Sequence, residues 1–334
     1  MSRPVLEVKD LVTRYHSRRG TIHAVNGVSF SLSAGESLAI VGESGSGKSA
    51  TALSLMGLVP PPGRVESGEV LLNGRNLLGL TAREWQAVRG REVAMVFQDP
   101  LTSLNPVLTI GRQLAEPMRR HLGMSAKAAA DESAALLTRV GIANPRERLS
   151  DYPHQFSGGQ RQRIMIAMAL SCRPAVLIAD EPTTALDVTI QAQIVELVQR
   201  LQAELGMAIL WITHDLALVA GLVHHVAVMY AGTIVEHAPV RDLYANPRHP
   251  YTRGLLAALP VVGSTSRRLM AIEGTPPDLR RAPTSCPFAP RCAWAEDRCR
   301  HDLPPLQSVT PTHASACWRW SELDVALVRA EAQA

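Results

Sequence analysis

The chain has 334 residues, of which 46% are hydrophobic and 4% aromatic, and its formal net charge is +4. The length accommodates one large domain and a smaller one, and the apolar content excludes a disordered chain. The mild, scattered positive charge argues against a nucleic-acid partner, whose binding needs a dense basic patch. No uncharged apolar run reaches the roughly 20 residues of a spanning helix, and no signal-peptide core opens the chain, so we expect a cytosolic protein.

The first hundred residues are predicted to form strands with one helix. VLEVKDLVTRY and HAVNGVSFSL alternate in the manner of half-buried strands, and ESLAIVG is a compact apolar strand. KSATALSLMGL is predicted to be a helix, SGEVLLNG a strand closed by Asn-Gly, and EVAMVFQD a buried strand.

From about residue 109 to 150 the pattern changes to helices, after which apolar strands return in AVLIADEP, MAILWITHD and HVAVMYAG. The helix TIQAQIVELVQRLQAELG separates the first two of these strands. This alternation predicts an α/β fold with a mainly parallel sheet covered on both faces. A Pro-, Arg- and Cys-rich texture follows residue 246. We therefore predict one domain over 1–260, with a helical subdomain at about 100–170, and an extension over 261–334.

GESGSGKS, at 42–49, fits the phosphate-loop pattern G-x-x-x-x-G-K-[ST], between a predicted strand and a predicted helix. Glycines let several backbone N–H groups face one anion, and a helix start favours negative charge. Lys48 is expected to reach the β- and γ-phosphates of ATP, and the Ser49 hydroxyl to bind Mg²⁺. The alternative is a flexible glycine loop without a ligand. The residues predicted to contact ATP here are Gly42, Ser44, Gly45, Ser46, Gly47, Lys48, Ser49 and Ala50.

Four further side chains with suitable chemistry stand where predicted strands end. Asp180 ends AVLIAD and is expected to lie beside Mg²⁺, whereas Glu181 is expected to polarise a water that attacks the γ-phosphorus. His214, after LWIT, is expected to contact the γ-phosphate or that water. Gln98 follows MVF. The alternatives are a helix-capping carboxylate pair, a structural histidine and a surface glutamine.

A second phosphate-binding pattern occurs in HQFSGGQRQRIMIAMAL, at 154–170. A short polar turn with two glycines runs into an apolar helix, which is a helix start suited to an anion.

In combination these motifs resemble an ATP-binding cassette ATPase. Gln98, FSGGQ at 156–160, LIADEP, ALD at 185–187 and His214 occur in that family's order, over about residues 1–260. The resemblance implies a P-loop NTPase core with an inserted helical subdomain. It also implies two cassettes paired head to tail, with each ATP clamped between one phosphate loop and the partner's signature motif. The signature residues would therefore contact ATP in trans; they are Ser157, Gly158, Gly159 and Gln160.

The resemblance implies roles for three more residues. Tyr15, in TRYHSRRG, corresponds to the aromatic residue that stacks on adenine, although packing is its alternative role. Gln98 corresponds to a residue that contacts Mg²⁺ and signals to the membrane domain. Asp187 corresponds to the interface aspartate that links the two sites. Phe156 replaces the usual leucine, and because it is also apolar we expect no functional change.

A narrower resemblance, to the ATPase subunits of bacterial oligopeptide/dipeptide importers, rests on FQDPLTSLNP, DEPTTALDVTIQAQI, NPRHPYT and the cysteine-containing tail. It implies a peripheral protein on the cytoplasmic face of the cell membrane. Its partners would be a second ATPase subunit, two transmembrane permease subunits and, indirectly, an extracytoplasmic solute-binding protein. Related importers of nickel or glutathione share these motifs, so the cargo stays open.

The alternative class is a cassette ATPase that acts on nucleic acid or ribosomes. Chromosome and repair ATPases insert a long coiled coil before the signature, whereas only about 58 residues separate Gln98 from Ser157 here. Translation-factor cassettes usually carry two ATPase units in one chain, and this chain has one. A third possibility is an ATPase recruited to a non-transport membrane complex.

Four of the five cysteines occur late in the chain, with the spacing C-x5-C-x6-C-x17-C. Four thiolates suit an iron–sulfur cluster or zinc, and the wide spacings favour zinc less. Resemblance to the peptide-importer ATPases, some of which carry a [4Fe-4S] cluster, favours that cluster. The alternative is four reduced cysteines packed as small hydrophobic residues. The predicted ligands are Cys286, Cys292, Cys299 and Cys317, and Cys172 is expected to be a core residue.

Overall fold

The computed structural model describes residues 3–18, 20–99, 103–184, 186–259 and 272–323, so the predicted domain boundary near 260 lies outside the described residues. The strands are β1 Leu6–Ser17, β2 Gly20–Leu32, β3 Ser37–Val41, β4 Gly63–Leu72, β5 Arg75–Asn76, β6 Val93–Val96, β7 Val176–Asp180, β8 Ala208–Thr213, β9 His225–Tyr230, β10 Thr233–Pro239, β11 Gln307–Thr310 and β12 His313–Ser315. The helices of these ranges are α1 Lys48–Leu55, α2 Ala82–Val88, α3 Ile110–Leu122, α4 Ala126–Arg139, α5 Pro145–Arg148, α6 Gly158–Leu170, α7 Val188–Leu205, α8 Leu216–Val219, α9 Val240–Ala245, α10 Pro250–Ala257 and α11 Asp297–His301. None of them combines the length and apolarity that crossing a bilayer requires.

The chain divides into two compact units that are interleaved along the sequence. The first unit consists of Met1–Leu6, Leu32–Glu36 and Leu71–Trp211. The second consists of Glu7–Ser31, Ser37–Val70 and Ile212–Ala334. The phosphate loop and the cysteine-bearing extension therefore belong to the same unit, although more than two hundred residues separate them in sequence.

The first unit combines buried strands with a set of packed helices. β6 and β7 pair in parallel, from Val93 opposite Val176 to Val96 opposite Ala179, and every residue of both strands is buried. This burial on both faces explains their continuous apolar sequences. Helices α3, α4 and α6 pack against one another. Each of these helices begins after a capping side chain that accepts a backbone N–H; the capping residues are Thr109, Ser125 and Ser157.

The second unit contains a sheet in which β3 and β9 are parallel and the remaining pairings are antiparallel. β9 and β10 form a hairpin, and β12 then β11 extend the sheet from β10. The sheet is therefore mixed, with antiparallel strands added beside the parallel pair of β3 and β9. The hairpin turn contains Ala231 and Gly232, both with positive φ, and a two-residue turn joins only antiparallel strands. β1 lies between β2 and β4 in a second sheet.

Two details of the sequence prediction change in the structure. Helix α6 ends at Leu170, so Cys172 lies just after the signature helix rather than inside it. The thiol is nevertheless a core residue, because Cys172 is only 6% exposed. The extension also contains the hairpin of β11 and β12, for which its Pro- and Cys-rich sequence gave no clear periodic signal.

Candidate functional site

The phosphate loop between β3 and α1 is shaped by two glycines that no other residue can replace without strain. Gly42 has a φ of 156° and Gly47 a φ of 107°, which side-chain-bearing residues rarely adopt. A Cβ atom on Gly42 would lie 2.2 Å from the carbonyl oxygen of Met229. A Cβ atom on Gly47 would lie 2.3 Å from the carbonyl oxygen of Ala24. The loop thus packs tightly against neighbouring backbone.

The functional side chains of this loop are partly buried within it. The Lys48 ammonium group donates to the carbonyl oxygens of Gly42, at 2.8 Å, and Glu43, at 2.9 Å. Lys48 and Ser46 are each 5% exposed, and the buried Ser46 hydroxyl has no hydrogen-bond partner within the described residues. Ser49 is exposed at the start of α1. The loop therefore presents a helix start, an ammonium group and an unsatisfied hydroxyl together, a set of groups that suits a phosphate.

The other loop positions and two more predicted residues also lie in this unit. Ser44 and Gly45 are exposed at the tip of the loop, and Ala50 is half-buried in the first turn of α1. Tyr15 lies on β1 with its ring against Gly63, where an added Cβ would be 2.5 Å from the ring. Partial burial raises the pKa of the Tyr15 hydroxyl, so the ring is neutral at pH 7. His214 is exposed directly after β8.

In the first unit, the structure brings Gln98 and Glu181 together. The Gln98 amide donates to the Glu181 carboxylate at 3.2 Å, and the Thr184 hydroxyl donates to the same oxygen at 2.9 Å. Glu181 has a φ of 47°, which turns the chain sharply after β7. Asp180, the last residue of that strand, is 9% exposed. Sequence reasoning missed Thr184, although its position three residues after Glu181 in a turn is a recognisable signal.

The signature motif forms an exposed helix start. The Ser157 hydroxyl accepts from the Gln160 backbone N–H at 3.4 Å, and the Gln160 side chain accepts from the Ser157 N–H at 3.0 Å. This capping box leaves Ser157 and Gly158 exposed at the tip of α6. Gly159 lies against α7, because an added Cβ would be 2.9 Å from the Ile190 side chain.

Asp187 caps the neighbouring helix. Its carboxylate accepts from the Ile190 backbone N–H at 2.9 Å at the start of α7. Since Ile190 also contacts the site of Gly159, the structure brings the signature motif and the segment of Asp187 together. Ser157 and Asp187 thus begin two helices whose first turns are packed against each other.

All four cysteines of the extension line one cavity, together with aromatic residues that include Phe288, Trp294 and Trp318. Among the residues that the structure describes, no three His, Cys, Asp or Glu side chains are arranged to hold a single metal ion. The thiols line a shared cavity without forming such a group among the described residues. The four cysteines are Cys286, Cys292, Cys299 and Cys317.

Backbone N–H groups point at three of these sulfur atoms. One donor lies two residues after each cysteine, in the pairs Phe288 to Cys286, Trp294 to Cys292 and Arg319 to Cys317, and the Ala289 N–H is a second donor to Cys286. Burial is the largest cause that raises the pKa of the Cys292 thiol, to about 11, and of the Cys317 thiol, to about 12, and repulsion from neighbouring thiolates adds to it. Without a cationic group these two thiols stay protonated, and an electropositive group in the cavity would reverse that effect.

Comparison with protein families gives two matches. The family described as ABC transporter matches residues 25–184, and the family described as oligopeptide/dipeptide transporter, C-terminal region, matches residues 235–299. The dipeptide transport ATP-binding protein DppD of Lactococcus lactis subsp. cremoris is 51% identical over 94% of this chain and 90% of its own length. The oligopeptide transport ATP-binding protein OppD of Salmonella typhimurium is 50% identical over 94% of this chain and 93% of its own.

Solved structures of ATP-binding cassettes share the fold. The dimeric post-hydrolysis state of the cassette MJ0796 bound to ADP and Pi has a TM-score of 0.64 and 26% identity, covering 71% of this chain and 99% of that one. The structure of cbiO1 from Clostridium perfringens, part of the transporter complex cbiONQ, has a TM-score of 0.63 and 27% identity, covering 73% and 92%. The predicted α/β P-loop NTPase fold is confirmed.

Proposed function

Since this chain belongs to the ABC transporter ATPases, in the oligopeptide/dipeptide importer family, and is an ATPase, we propose that it powers the uptake of short peptides across the cytoplasmic membrane. The observation that carries this proposal is the combination of a buried phosphate loop, an exposed signature helix start and the matching C-terminal region in one chain. Nickel and glutathione are the alternative cargoes. An action on nucleic acid or ribosomes has no support among these relatives.

Each predicted site residue has a role in ATP hydrolysis that its chemistry suits. Lys48 binds the β- and γ-phosphates, and Tyr15 stacks on adenine. Glu181 accepts a proton from a water whose oxygen attacks the γ-phosphorus. The bond between the γ-phosphorus and the oxygen bridging it to the β-phosphate breaks, which releases ADP and phosphate. His214 contacts the γ-phosphate or that water. Gln98 and Thr184 orient the Glu181 carboxylate through the hydrogen bonds seen here.

The donor set also suits Mg²⁺. The residues that would hold it are Ser49, Gln98 and Asp180, whose oxygen atoms are the hard ligands that Mg²⁺ prefers. When bound, the ion neutralises charge on the β- and γ-phosphates.

Because the signature motif is exposed, we assign it to an ATP held by a partner subunit. Ser157 and Gly159 donate to the γ-phosphate in trans, and Asp187 links the two sites across a head-to-tail pair. The second ATPase subunit is either a copy of this chain or a paralogue. The assembly would bind two permease subunits at the cytoplasmic face of the membrane and receive solute indirectly from an extracytoplasmic binding protein.

Uptake of a labelled peptide tests the proposed cargo. Cells that lack this chain should lose uptake of labelled di- and oligopeptides, and the wild-type chain should restore it while Lys48→Ala should not. Unlabelled peptide should compete, whereas nickel and glutathione should not. Loss of nickel or glutathione uptake with normal peptide uptake would contradict the peptide assignment. Copurification with two polytopic membrane proteins, as opposed to ribosomes or DNA, tests the partners.

We include in the proposal a [4Fe-4S] cluster held by the four cysteines of the extension. The support is the shared cavity and the four backbone N–H groups directed at three of the sulfur atoms, since thiolates ligate such clusters and hydrogen bonds to sulfur tune them. When bound, the cluster would supply a cross-link between the 286–299 segment and Cys317, with redox chemistry in addition.

Anaerobic purification tests the cluster. The full-length protein should be brown and contain iron and sulfide. Cys292→Ser should lose both, whereas Cys172→Ser, at the buried cysteine after α6, should keep them. Colourless, metal-free protein from the anaerobic preparation would contradict the proposal.

A further inference from the structure

A buried arginine of the extension is bonded to the phosphate loop. Arg291 forms two hydrogen bonds with the Glu43 carboxylate, from Nη1 to Oε2 at 2.7 Å and from Nη2 to Oε1 at 3.0 Å. Glu43 is the second residue of the loop GESGSGKS. The Arg291 side chain is 4% exposed and that of Glu43 is 27% exposed. A two-bond guanidinium–carboxylate pair at this burial is strong and geometrically specific.

Arg291 is itself held firmly. Its Nε donates to the carbonyl oxygen of Glu273 at 2.9 Å, and its Nη2 donates to that of Ile272 at 3.1 Å. Its Nη1 also donates to the Tyr230 hydroxyl at 3.3 Å. The hydrogen bonds to the Glu43 carboxylate are the largest cause that raises the pKa of the Arg291 guanidinium, which therefore stays charged at every relevant pH. Arg291 thus joins the phosphate loop to two other segments of the unit, residues 272–273 and the end of β9.

The backbone of Glu43 connects this arginine to the catalytic lysine. The Glu43 N–H donates to the Tyr251 hydroxyl at 2.8 Å, and Tyr251 is completely buried. The Glu43 carbonyl oxygen accepts from the Lys48 ammonium at 2.9 Å. A displacement of Glu43 would therefore move an acceptor of Lys48, whose position determines contact with the phosphates.

The same arginine lies in the turn that bears two of the four cysteines. In this turn the Ala289 N–H donates to the Cys286 carbonyl oxygen at 3.1 Å, the Arg291 N–H to that of Phe288 at 2.9 Å, and the Cys292 N–H to that of Ala289 at 3.3 Å. The position of Arg291 is therefore tied through this turn to the positions of Cys286 and Cys292.

We propose that Arg291 is a positioning residue through which the cysteine-bearing extension holds the phosphate loop in its nucleotide-binding conformation. Nucleotide binding and the order of the 286–292 turn are therefore thermodynamically coupled, and the coupling is reciprocal. The inference rests on the proposed contact of Lys48 with ATP. It does not depend on the cargo or on which group the cavity holds.

The first test is nucleotide affinity of the full-length protein. Arg291→Gln should raise the Kd for a fluorescent ATP analogue, and the KM for ATP, by about tenfold, because part of the binding energy then orders the loop. The kcat at saturating ATP should stay within about twofold. Arg291→Lys should recover part of the affinity, and Arg300→Gln, at an exposed arginine of the same extension, should leave it unchanged.

A double-mutant cycle separates positioning from misfolding. Arg291→Gln leaves a partly buried carboxylate without its counter-ion, whereas Arg291→Gln combined with Glu43→Gln removes both charges. If the pair acts directly, the double variant should bind the analogue no more weakly than the worse single variant. Additive losses would show that the two residues act separately and would overturn the proposal.

Amide hydrogen exchange tests the reciprocal effect. A non-hydrolysable ATP analogue should slow exchange in residues 286–292 of the wild-type protein and of Arg300→Gln, but not of Arg291→Gln. Equal affinity, or equal protection, in the wild-type protein and Arg291→Gln would overturn the inference. If the wild-type protein itself fails to bind ATP, the proposed phosphate site is wrong instead.

Discussion

The chain contains two helix starts suited to phosphate, and they are built in opposite ways. The loop before α1 is packed against the backbone at Ala24 and Met229, and Lys48 and Ser46 are buried within it. The start of α6 is capped by its own Ser157 and Gln160 and remains exposed. The groups of the first helix start are thus held in place by contacts within its own chain, whereas the second helix start faces outward.

This difference in packing suggests a separate task for each of the two helix starts. A buried loop with a fixed ammonium group binds a phosphate without further partners, because its groups are preorganised. An exposed, self-capped helix start has only its remaining N–H groups to offer, and these gain strength when another surface excludes water. The contrast supports a phosphate loop that binds ATP alone and a signature motif that acts only after two subunits pair.

The largest effect should come from Glu181, the proposed catalytic carboxylate, whose loss tests whether hydrolysis can be abolished while both phosphate-binding helix starts stay intact. Glu181→Gln should lower ATP hydrolysis about 10²- to 10⁴-fold because the attacking water loses its base. ATP binding should persist, as measured by a filter-binding assay. Glu196→Gln, at an exposed glutamate of α7, is the control. Turnover within a few fold of wild type would remove Glu181 from this role.

Alanine at matched glycines tests the packing difference directly. Gly42→Ala should lower the free energy of unfolding by roughly 2–4 kcal/mol, since its Cβ would collide with the Met229 carbonyl and its φ is unfavourable. Gly158→Ala should not destabilise the chain, because its Cβ would contact only the Leu186 side chain, at 3.9 Å. Urea denaturation of both variants measures this. Equal losses would show that the two helix starts are not built differently.

Removal of the signature hydroxyl tests the trans assignment. Ser157→Ala should cost about 1 kcal/mol of stability as a lost helix cap, and should also impair hydrolysis at the partner's phosphate loop. Ser125→Ala removes the same kind of cap from α4 and should cost similar stability with normal hydrolysis. Site-specific nucleotide occlusion in the assembled complex distinguishes the two loops. A defect confined to the chain's own loop would contradict the assignment.

The smallest effect concerns the extension, which belongs to the same unit as the phosphate loop. In the metal-free protein the raised pKa values of Cys292 and Cys317 favour folding below pH 9, and this contribution is lost as pH rises towards 11–12. The Tm should therefore decline more steeply above pH 9 than in the Cys292→Ser, Cys317→Ser double variant. If the Tm of both proteins falls with pH at the same rate, ionisation of these two thiols does not affect stability.

Local sequence patterns predicted much of the site because short-range chemistry determines it. The loop 42–49 needs glycines at fixed positions, and its flanking strand and helix have clear periodicity, so the motif could be located without a structure. The contact of Gln98 with Glu181 was not predictable from the residues alone, since 83 positions separate them. The antiparallel hairpin of β9 and β10 was missed because Ala-Gly is a weaker turn signal than Asn-Gly.

By itself the sequence determined the motifs and the strands and helices of the core, because these depend on neighbouring residues. The number of cysteines is read from it directly. Only the tertiary structure decided that Ser46 and Lys48 are buried at one phosphate-binding helix start, whereas Ser157 is exposed at the other. It also brought four widely spaced cysteines around one cavity and placed Arg291 on Glu43, 248 residues away in sequence. Such pairings follow from how the sheets and turns fold together, and the residues adjacent to either partner do not encode them.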